Sequence, residues 1–317
     1  MNRFKIALTD KHQVLKNQDE ISDFSIFNSS KFIKLHNENG LTTSFSLHLK
    51  STLQCLGVCH FSKGYNGLFQ SPCVGSFGGF EFLDSVSLEL KELFILAVLN
   101  CLQTDGAVKV NIILPPDIYN LGNNAQVFSI LHRQGFSCAR SELNQYINVE
   151  EYELQKSVSH GNRKRINNCL KAGFKFKKME TENAKTAYQV IVKNRTNRNF
   201  PITMKWSALE KMIELFKTKM VFLGVYDQGQ LIASAICINV TQSTLYVFYW
   251  GDVPGYETLS PIALLSNQII EYGKRNSYKI IDIGTSSENS IPNIGLFNFK
   301  KNIGCHSCLK LYLTKVF

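Results

Sequence analysis

The sequence predicts an α/β or α+β fold in two halves, which we place at residues 1–150 and 151–317. The chain has 317 residues, about the length of two typical domains. Hydrophobic residues make up 44% of the chain, which is enough to bury a sizeable core. Each half contains helices, a strand hairpin or meander, and then a further helix and strand. This alternation is typical of mixed folds.

The elements of the first half begin with a pair of strands. Residues 44–49 alternate apolar and polar side chains, and residues 53–61 follow as the second strand. Residues 71–79 are rich in Gly, Ser and Pro, so this loop can turn sharply or approach a ligand closely. Residues 86–102 are apolar almost all round, which indicates a buried helix. Residues 108–114 are a β-branched strand that ends at two prolines.

One more helix and one more strand complete the first half. Asn123 or Asn124 is predicted to cap the helix. Gly135 is predicted to end it, at the position after the C-cap where glycine is favoured. Residues 144–149 form the strand before the break near residue 150.

Two amphipathic helices are predicted early in the second half. Thr181 can cap the first helix, whose apolar stripe begins at Ala184. Ser207 and Glu210 have the spacing of a capping box for the second helix. The predicted buried face of the second helix has the spacing i, i+3, i+4, i+7 and consists of Leu209, Met212, Ile213 and Phe216.

A strand meander, a helix and a strand follow. The turn from Asp227 to Gln230 contains a glycine and predicts a hairpin. Pro261 suits the first turn of the helix. The three meander strands, the helix and the last strand are predicted at residues 221–226, 231–240, 245–250, 261–273 and 279–283.

Charge and cysteine usage indicate the environment of the protein. Lys and Arg number 35 against 25 Asp and Glu, which gives a net charge of +10. This balance favours anionic partners such as phosphates, nucleic acid or an acidic membrane surface, and it equally serves solubility alone. The nine cysteines have no regular spacing, so we expect reduced thiols in a cytoplasmic protein.

No membrane-spanning or targeting segment is expected. Residues 1–11 carry charge without a following apolar run, so no signal peptide is expected there. The longest apolar run, residues 93–99, is far shorter than the roughly 18 residues that span a bilayer. Peripheral contact with a membrane remains compatible with the sequence.

Several short motifs occur in one order along the chain. These motifs are residues 71–79 and 135–136 in the first half, and residues 195–201, 249–261, 282–284 and 295–304 in the second. Together they resemble the Fem-type aminoacyltransferases and their GNAT-like relatives, more loosely in the first half.

The resemblance implies a fold and an activity. The expected fold is two tandem GNAT-like domains, each a mixed, mostly antiparallel sheet flanked by helices, with the motif-bearing segments in the second domain. The expected activity is transfer of an acyl or aminoacyl group to an amine of an amino sugar, a peptidoglycan precursor or a lipid-linked acceptor. The donor would be acyl-CoA, an acyl-carrier protein or aminoacyl-tRNA, bound as a substrate, and no tightly bound cofactor is expected.

One segment departs from the acetyl-CoA enzymes of this fold. Those enzymes place a glycine-rich turn before the main helix, where backbone N–H groups hold a pyrophosphate. Residues 252–261 have one glycine, two prolines that lack N–H donors, and the acids Asp252 and Glu257. A CoA pyrophosphate is therefore poorly matched to this loop.

Two aspartates are the candidate catalytic residues. Asp282 closes a strand just before a glycine, where a carboxylate can accept a proton or position an amine; capping the following loop is the alternative. Asp252 follows an aromatic strand end and can orient the acceptor; turn formation explains it equally well. Direct amide formation requires no nucleophilic Ser or Cys triad.

Five further residues are candidates for substrate binding. Lys300 interrupts an apolar run, and the resemblance implies that it contacts a phosphate-bearing acceptor. Arg195 and Arg198 can clamp a carboxylate or phosphate, or can simply favour a helix C-terminus. Trp250 and Tyr256 lie on either side of Asp252 in the resembling stretch of residues 249–261.

A basic segment lies between residues 154 and 179. It contains eight Lys or Arg residues and no acid, so it could contact tRNA, anionic lipid or nucleotide phosphates, or be a solvated linker helix. It supports an alternative function, a non-catalytic binder of nucleic acid or anionic lipid. A third hypothesis is a CoA acetyltransferase with one active domain and a scaffold half.

The cysteines do not predict a metal site. Cys305 and Cys308 flank His306, but no second ligand pair has zinc spacing. Cys169 and Cys237 are predicted to be core thiols.

Overall fold

The computed structural model describes residues 4–9, 24–37 and 40–317. The chain forms two compact units, one of Met1–Glu142 with Cys308–Phe317 and one of Leu143–Ser307. These units differ from the predicted division at residue 150, because the last ten residues belong to the first unit. The segment of residues 1–11, in which no signal peptide is expected, lies partly outside the described residues.

Helices and strands alternate along the described chain. The helices are α1 (Ser30–His36), α2 (Leu88–Thr104), α3 (Leu121–Arg133), α4 (Leu154–Ser157), α5 (His160–Lys171), α6 (Ala184–Asn197), α7 (Trp206–Leu215), α8 (Pro261–Arg275) and α9 (Ile294–Asn302). The strands are β1 (Phe4–Thr9), β2 (Thr42–Leu49), β3 (Cys55–Lys63), β4 (Leu68–Ser71), β5 (Glu81–Phe82), β6 (Lys109–Ile113), β7 (Ser137–Asn148), β8 (Lys175–Met179), β9 (Met220–Asp227), β10 (Gln230–Asn239), β11 (Thr244–Asp252), β12 (Ile280–Thr285), β13 (Ser287–Glu288), β14 (Ile291–Pro292) and β15 (His306–Val316).

The first unit is built on a mixed, mostly antiparallel sheet. Its strands follow the order β1-β2-β3-β4-β6-β15, and β5 pairs with β3. The pairing of β4 with β6 is parallel, whereas β1–β2, β2–β3 and β6–β15 are antiparallel. The predicted pairing of residues 44–49 with 53–61 is confirmed in β2 and β3.

A phenylalanine-rich core fills the first unit. The side chains of Phe45, Phe61, Phe80 and Phe94 are buried in one cluster. Helix α2 packs one face on this core and leaves Leu93 42% exposed. The prediction of a buried helix is therefore wrong for the outer face of α2, because the helix carries more apolar residues than the face packed on the core can hold.

The cap of α3 also differs from the prediction. Asn120 is the N-cap, and its side-chain oxygen accepts a hydrogen bond from the N–H of Asn123 at 2.9 Å. Asn123 and Asn124 lie in the first helical turn, where the Asn124 amide donates to the Pro115 carbonyl at 2.8 Å. Gly135 follows the C-cap with φ +84°, as predicted.

The second unit has its own sheet, in the order β7-β12-β11-β10-β9-β8, with the residues of β7 from Leu143 onward. All neighbours are antiparallel except β11 and β12, which run parallel. Helix α8 is buried along Leu264, Leu265 and Ile269. The predicted meander, helix and closing strand are confirmed in β9, β10, β11, α8 and β12.

Two predicted caps in this unit are wrong. Helix α7 begins at Trp206 with Lys205 as its N-cap, so Ser207 lies inside the first turn. Glu210 instead accepts a hydrogen bond from the Trp206 indole N–H at 3.1 Å. Thr181 opens a short 3-10 turn and makes no side-chain cap for α6. In each case the helix begins one or more residues away from the predicted cap.

Candidate active site

A gap opens in the second sheet where its two parallel strands separate. Strands β11 and β12 pair from Thr244 with Ile280 to Tyr246 with Asp282. Beyond that point β11 continues to Asp252 and β12 to Thr285 without further pairing to each other. The carboxyl ends of parallel strands are a common place for ligands, because side chains and main-chain groups of both strands face one crevice.

A β-bulge lies in each strand at the place where they separate. On β11, Phe248 is the extra residue, because Tyr249 pairs with Ile236 and Val247 pairs with Cys237. On β12, the register slips between Asp282 and Gly284 against β7. Bulges bend a strand away from its neighbour. Among the described strands, none pairs with the gap side of β11 after Tyr246, so its main-chain groups there can bond a ligand.

Lys300 lies beneath the end of β12. Its side chain comes from α9 and is 2% exposed. The ammonium donates hydrogen bonds to the carbonyls of Gly284 at 2.9 Å and Thr285 at 2.8 Å. Burial lowers the pKa of Lys300 from 10.5 to about 8, because charge is poorly solvated there, while the negative charge of Asp282 acts in the opposite direction.

Lys300 therefore does not extend into solvent, where the resemblance implied contact with a phosphate of the acceptor. The nitrogen faces the main chain of the gap, and two of its three N–H donors are used there.

Asp282 holds the bulge of β12. Its buried carboxylate accepts hydrogen bonds from the Asn144 amide at 2.8 Å and from the Gly284 N–H at 2.9 Å. Gly284 has φ +78°, a conformation that glycine adopts without strain. This geometry matches the alternative interpretation, a cap on the following loop, and places the carboxylate close to Lys300.

Aromatic side chains line β11. Tyr246, Phe248 and Trp250 are half-buried along this strand. Because of the bulge at Phe248, Tyr246 and Trp250 lie on opposite faces, with Trp250 on the face that packs on the core of the second unit. The Trp250 ring meets Phe299 of α9 edge-on, with centroids 5.9 Å apart. Phe248 and Phe299 were not predicted as site residues, although the aromatic run along β11 could have indicated the first.

Asp252 belongs to a second cluster, at the far end of β11. The Asn194 amide donates to its carboxylate at 2.9 Å and to its carbonyl at 2.8 Å, and the N–H of Ile262 donates to the carboxylate. Arg198 lies 3.9 Å away and is largely exposed, so this ion pair contributes little. Burial raises the pKa of Asp252, against the opposing charge of Arg198.

Arg195 is held by its own loop. One guanidinium nitrogen donates to the Pro201 carbonyl at 2.8 Å, and the group lies over the Tyr249 ring, 4.8 Å from its centroid. Its buried Nε has no hydrogen-bond partner among the described residues. The structure thus brings Arg195, Arg198 and Asp252 together at the end of β11.

The two predicted catalytic aspartates are far apart. Asp282 lies opposite Tyr246, and Asp252 lies six residues further along β11. Because of the bulge, the β10 partners of Tyr246 and Asp252 are five residues apart, and at about 3.3 Å per residue the two positions lie about 16 Å apart along the strand. They cannot both contact one reacting atom.

Two main-chain N–H groups in and just after the loop before α8 already donate hydrogen bonds to the protein's own carboxylates. The Gly255 N–H donates to both oxygens of Glu257, at 3.0 and 3.1 Å, and the Ile262 N–H donates to Asp252. Pro261 at the start of α8 has no N–H. The Tyr256 hydroxyl donates to Asp227 at 3.0 Å, which places it apart from the gap cluster.

The basic segment is not a linker helix. It forms α4, α5 and the edge strand β8, and buries Ile166, Cys169 and Phe174 in the core of the second unit. Lys175 and Lys177 lie exposed on β8, where lysine discourages pairing with other chains.

The cysteines of the described chain are free thiols. Cys169 and Cys237 are buried, as predicted, and burial raises the pKa of both. Burial also raises the pKa of Cys305 to about 12. Across residues 4–9, 24–37 and 40–317, no group of three or more His, Cys, Asp and Glu side chains is arranged to hold a metal ion. No helix in these ranges is long and apolar enough to cross a membrane.

Comparison with known proteins identifies the fold. No protein-family model matches the chain, and no curated protein matches its sequence. Among solved structures, FemX is similar over 92% of both chains, with a TM-score of 0.71 and 12% identity. The C-terminal domain of a putative lysylphosphatidylglycerol synthetase from Agrobacterium fabrum matches 92% of this chain with 87% of its own, at a TM-score of 0.60 and 9% identity.

A third structure extends the comparison to the tandem GNAT proteins. The tandem GNAT protein from the clavulanic acid biosynthesis pathway matches 99% of this chain with 98% of its own, at a TM-score of 0.51 and 8% identity. The chain therefore has a mixed fold of the GNAT-like class. In particular, it is similar in fold to FemX and to a tandem GNAT protein, and the predicted fold class is confirmed.

Proposed function

We propose that the protein is an N-acyltransferase that moves an acyl or aminoacyl group from an activated donor to an amine. The observation that carries the proposal is the gap between β11 and β12, with Lys300 beneath it. The fold neighbours named as FemX and lysylphosphatidylglycerol synthetase support transfer of an amino acid in particular.

In the proposed step the free amine bonds to the acyl carbon, the ester or thioester bond of the donor breaks, and the amine's proton leaves with the donor's oxygen or sulfur. The residues around the gap provide two of the requirements of this step. The donor carbonyl must be held within reach of the amine, and the oxyanion of the tetrahedral intermediate must be stabilised. The unpaired edge of β11 after Tyr246 supplies main-chain donors that can hold the acyl group. Lys300, with a pKa of about 8, is mostly protonated at neutral pH, and its third N–H can stabilise the oxyanion.

Asp282 and Asp252 have different roles in this proposal. Asp282 holds Gly284, whose carbonyl in turn holds the Lys300 ammonium, so Asp282 is a positioning residue. Asp252 holds the start of α8 and lies, with Arg198, about 16 Å along β11 from the position opposite Asp282, where it can orient a distant part of the acceptor. Arg198 is the exposed cation that can contact a phosphate of the acceptor.

The donor we favour is not held through a pyrophosphate at α8. Two N–H groups that would bind this anion already bond to Asp252 and Glu257, and the negative charges of these two carboxylates would repel it. Aminoacyl-tRNA or an acyl-carrier protein fits this loop better than acyl-CoA. In either case the donor is a substrate, and the proposed acceptor is an amino sugar, peptidoglycan precursor or lipid-linked amine in the cytoplasm.

The test is product formation by the full chain. The protein is incubated with aminoacyl-tRNA, acyl-carrier protein or acyl-CoA and a panel of nucleotide-sugar and peptide amines, and products are detected by mass spectrometry. We expect a product whose added mass matches the aminoacyl or carrier-bound acyl group. Lys300→Met should reduce the rate at least tenfold, whereas Lys301→Met, at the exposed neighbour, should not.

Two outcomes would contradict the proposal. Equal rates for Lys300→Met and Lys301→Met would show that Lys300 takes no part in the reaction. Absence of product with every donor, together with salt-sensitive binding to RNA or lipid, would favour the non-catalytic alternative.

A further inference from the structure

An exposed apolar tip lies next to the gap. After β12 the chain forms the hairpin of β13 and β14 and enters α9. Ile291 on this hairpin is 72% exposed, and Ile294 at the start of α9 is 63% exposed. Neither side chain contributes to the cores of the two units. Such residues gain free energy if an apolar phase covers them.

Basic side chains lie at the other end of α9. The carbonyl of Asn302 accepts hydrogen bonds from the Ser159 N–H at 3.0 Å and from the Asn162 amide at 3.2 Å, which joins α9 to the start of α5. Helix α5 carries four Lys or Arg residues and no acid. Of these, Lys164, Arg165 and Lys171 are exposed, and the first two lie nearer the start of α5.

The apolar and basic groups share a face of α9. Ile294 and Lys301 are seven residues apart, two helical turns, so both point to the same side, and both are exposed. The nine residues of α9 extend about 13 Å. We define the α9 surface as Ile291, Ile294 and Lys301 with Lys164 and Arg165 of α5. Glu288 is the exposed acid of the hairpin.

We propose that the α9 surface docks the protein on an anionic lipid membrane. Ile291 and Ile294 enter the boundary between headgroups and acyl chains, and the three basic side chains face the negative headgroups. Charge alone would fit RNA equally well. Recognition of single-stranded RNA relies on exposed aromatic rings, however, and the exposed apolar residues of this surface are aliphatic.

Docking would also place the gap between β11 and β12 close to the membrane. Lys300, on the same short helix, holds the carbonyls of Gly284 and Thr285 at the end of β12. A membrane on the α9 surface therefore lies close to the proposed reaction site. If the proposed transferase activity is correct, the acceptor on this membrane is a lipid-linked amine; docking itself does not depend on that activity.

Vesicle co-sedimentation of the full chain tests the proposal without donor or acceptor. The probes are vesicles of equal phosphatidylglycerol and phosphatidylcholine, and vesicles of phosphatidylcholine alone. One variant is Ile291→Ser with Ile294→Ser, and its control is Leu121→Ser, which changes a 66% exposed leucine of the first unit. The other variant is Lys164→Gln with Lys301→Gln, and its control is Lys109→Gln, at an exposed lysine of the first unit.

We expect binding to the anionic vesicles that the isoleucine variant weakens at least tenfold. Each basic charge removed should weaken it about fivefold, so the lysine variant should bind about 25-fold more weakly. Both controls should bind as the unchanged protein does. Salt should weaken the unchanged protein only in part, because screening acts on the charges and not on the isoleucines.

Three results would overturn the proposal. The first is no preference for anionic vesicles over phosphatidylcholine. The second is anionic binding that Ile291→Ser with Ile294→Ser leaves unchanged. The third is binding to RNA alone, lost with salt and unaffected by the isoleucine variant, which would assign the basic side chains to nucleic acid.

Discussion

Replacement of Lys300 by methionine should change how the stability of the second unit depends on pH. Methionine has a similar length and flexibility but no charge. Because burial lowers the pKa of Lys300 from 10.5 to about 8, the folded protein releases this proton at a lower pH than the unfolded chain. Between those two values the unfolded chain binds more protons, so the free energy of unfolding rises with pH. Methionine removes this contribution.

The magnitude follows from the two pKa values. One pKa unit corresponds to about 1.4 kcal/mol, so the difference between 10.5 and about 8 corresponds to about 3 kcal/mol over the whole window. Between pH 7.5 and 9.5 the linkage relation gives a gain of about 2 kcal/mol for the unchanged protein relative to Lys300→Met. Other groups titrate in both proteins, so their effects largely cancel in this difference.

Urea unfolding at several pH values measures the effect. Both tryptophans of the chain, Trp206 and Trp250, lie in the second unit, so tryptophan fluorescence reports its unfolding. Lys301→Met serves as the matched control and should show no pH-dependent difference. If the free-energy difference between the unchanged protein and Lys300→Met stayed flat or fell from pH 7.5 to 9.5, Lys300 would not be buried with a lowered pKa.

Three further changes have defined outcomes. Asp252→Ala leaves the Ile262 N–H at the start of α8 without its acceptor, so urea unfolding should show a loss of about 1–2 kcal/mol; an unchanged midpoint would show that the cap is unimportant. Gly251→Ala places a Cβ 2.8 Å from the Asn194 side chain, so a loss of about 1–3 kcal/mol is expected in the same assay, and a neutral effect would mean that α6 can move aside. Trp250→Ala removes an aromatic wall of the gap and should lower kcat/KM by about tenfold with the donor that gives product; an unchanged kcat/KM would place the substrate elsewhere.

Much of the fold could be predicted from local patterns. The strands of the second-half meander and the buried face of α7 follow from periodicity, because one face of each element must meet the core. The first residues of the helices were harder to predict from the sequence. Asn123 and Asn124 lie inside the first turn of α3, because Asn120 caps this helix and Asn124 bonds the Pro115 carbonyl of the preceding loop, a contact that the local pattern does not reveal.

The candidate site was less predictable for a physical reason. Sequence order placed Asp252 and Asp282 in one motif series but could not measure their separation. The parallel pairing of β11 and β12 and the bulge in β11 set that separation at about 16 Å along the strand. The burial of Lys300 also depends on α9 packing beneath β12, and the two carbonyls that hold its ammonium are main-chain atoms with no signature in the sequence.

Hydrogen exchange with the productive donor bound tests the central claim most directly. The claim is that the acyl group lies in the gap between β11 and β12, against the edge of β11 that has no strand partner. We predict that the donor slows exchange of main-chain amides at residues 247–252 and 284–285, relative to the free protein. Protection confined to other segments, such as residues 154–179, would contradict the claim and place the donor outside the gap.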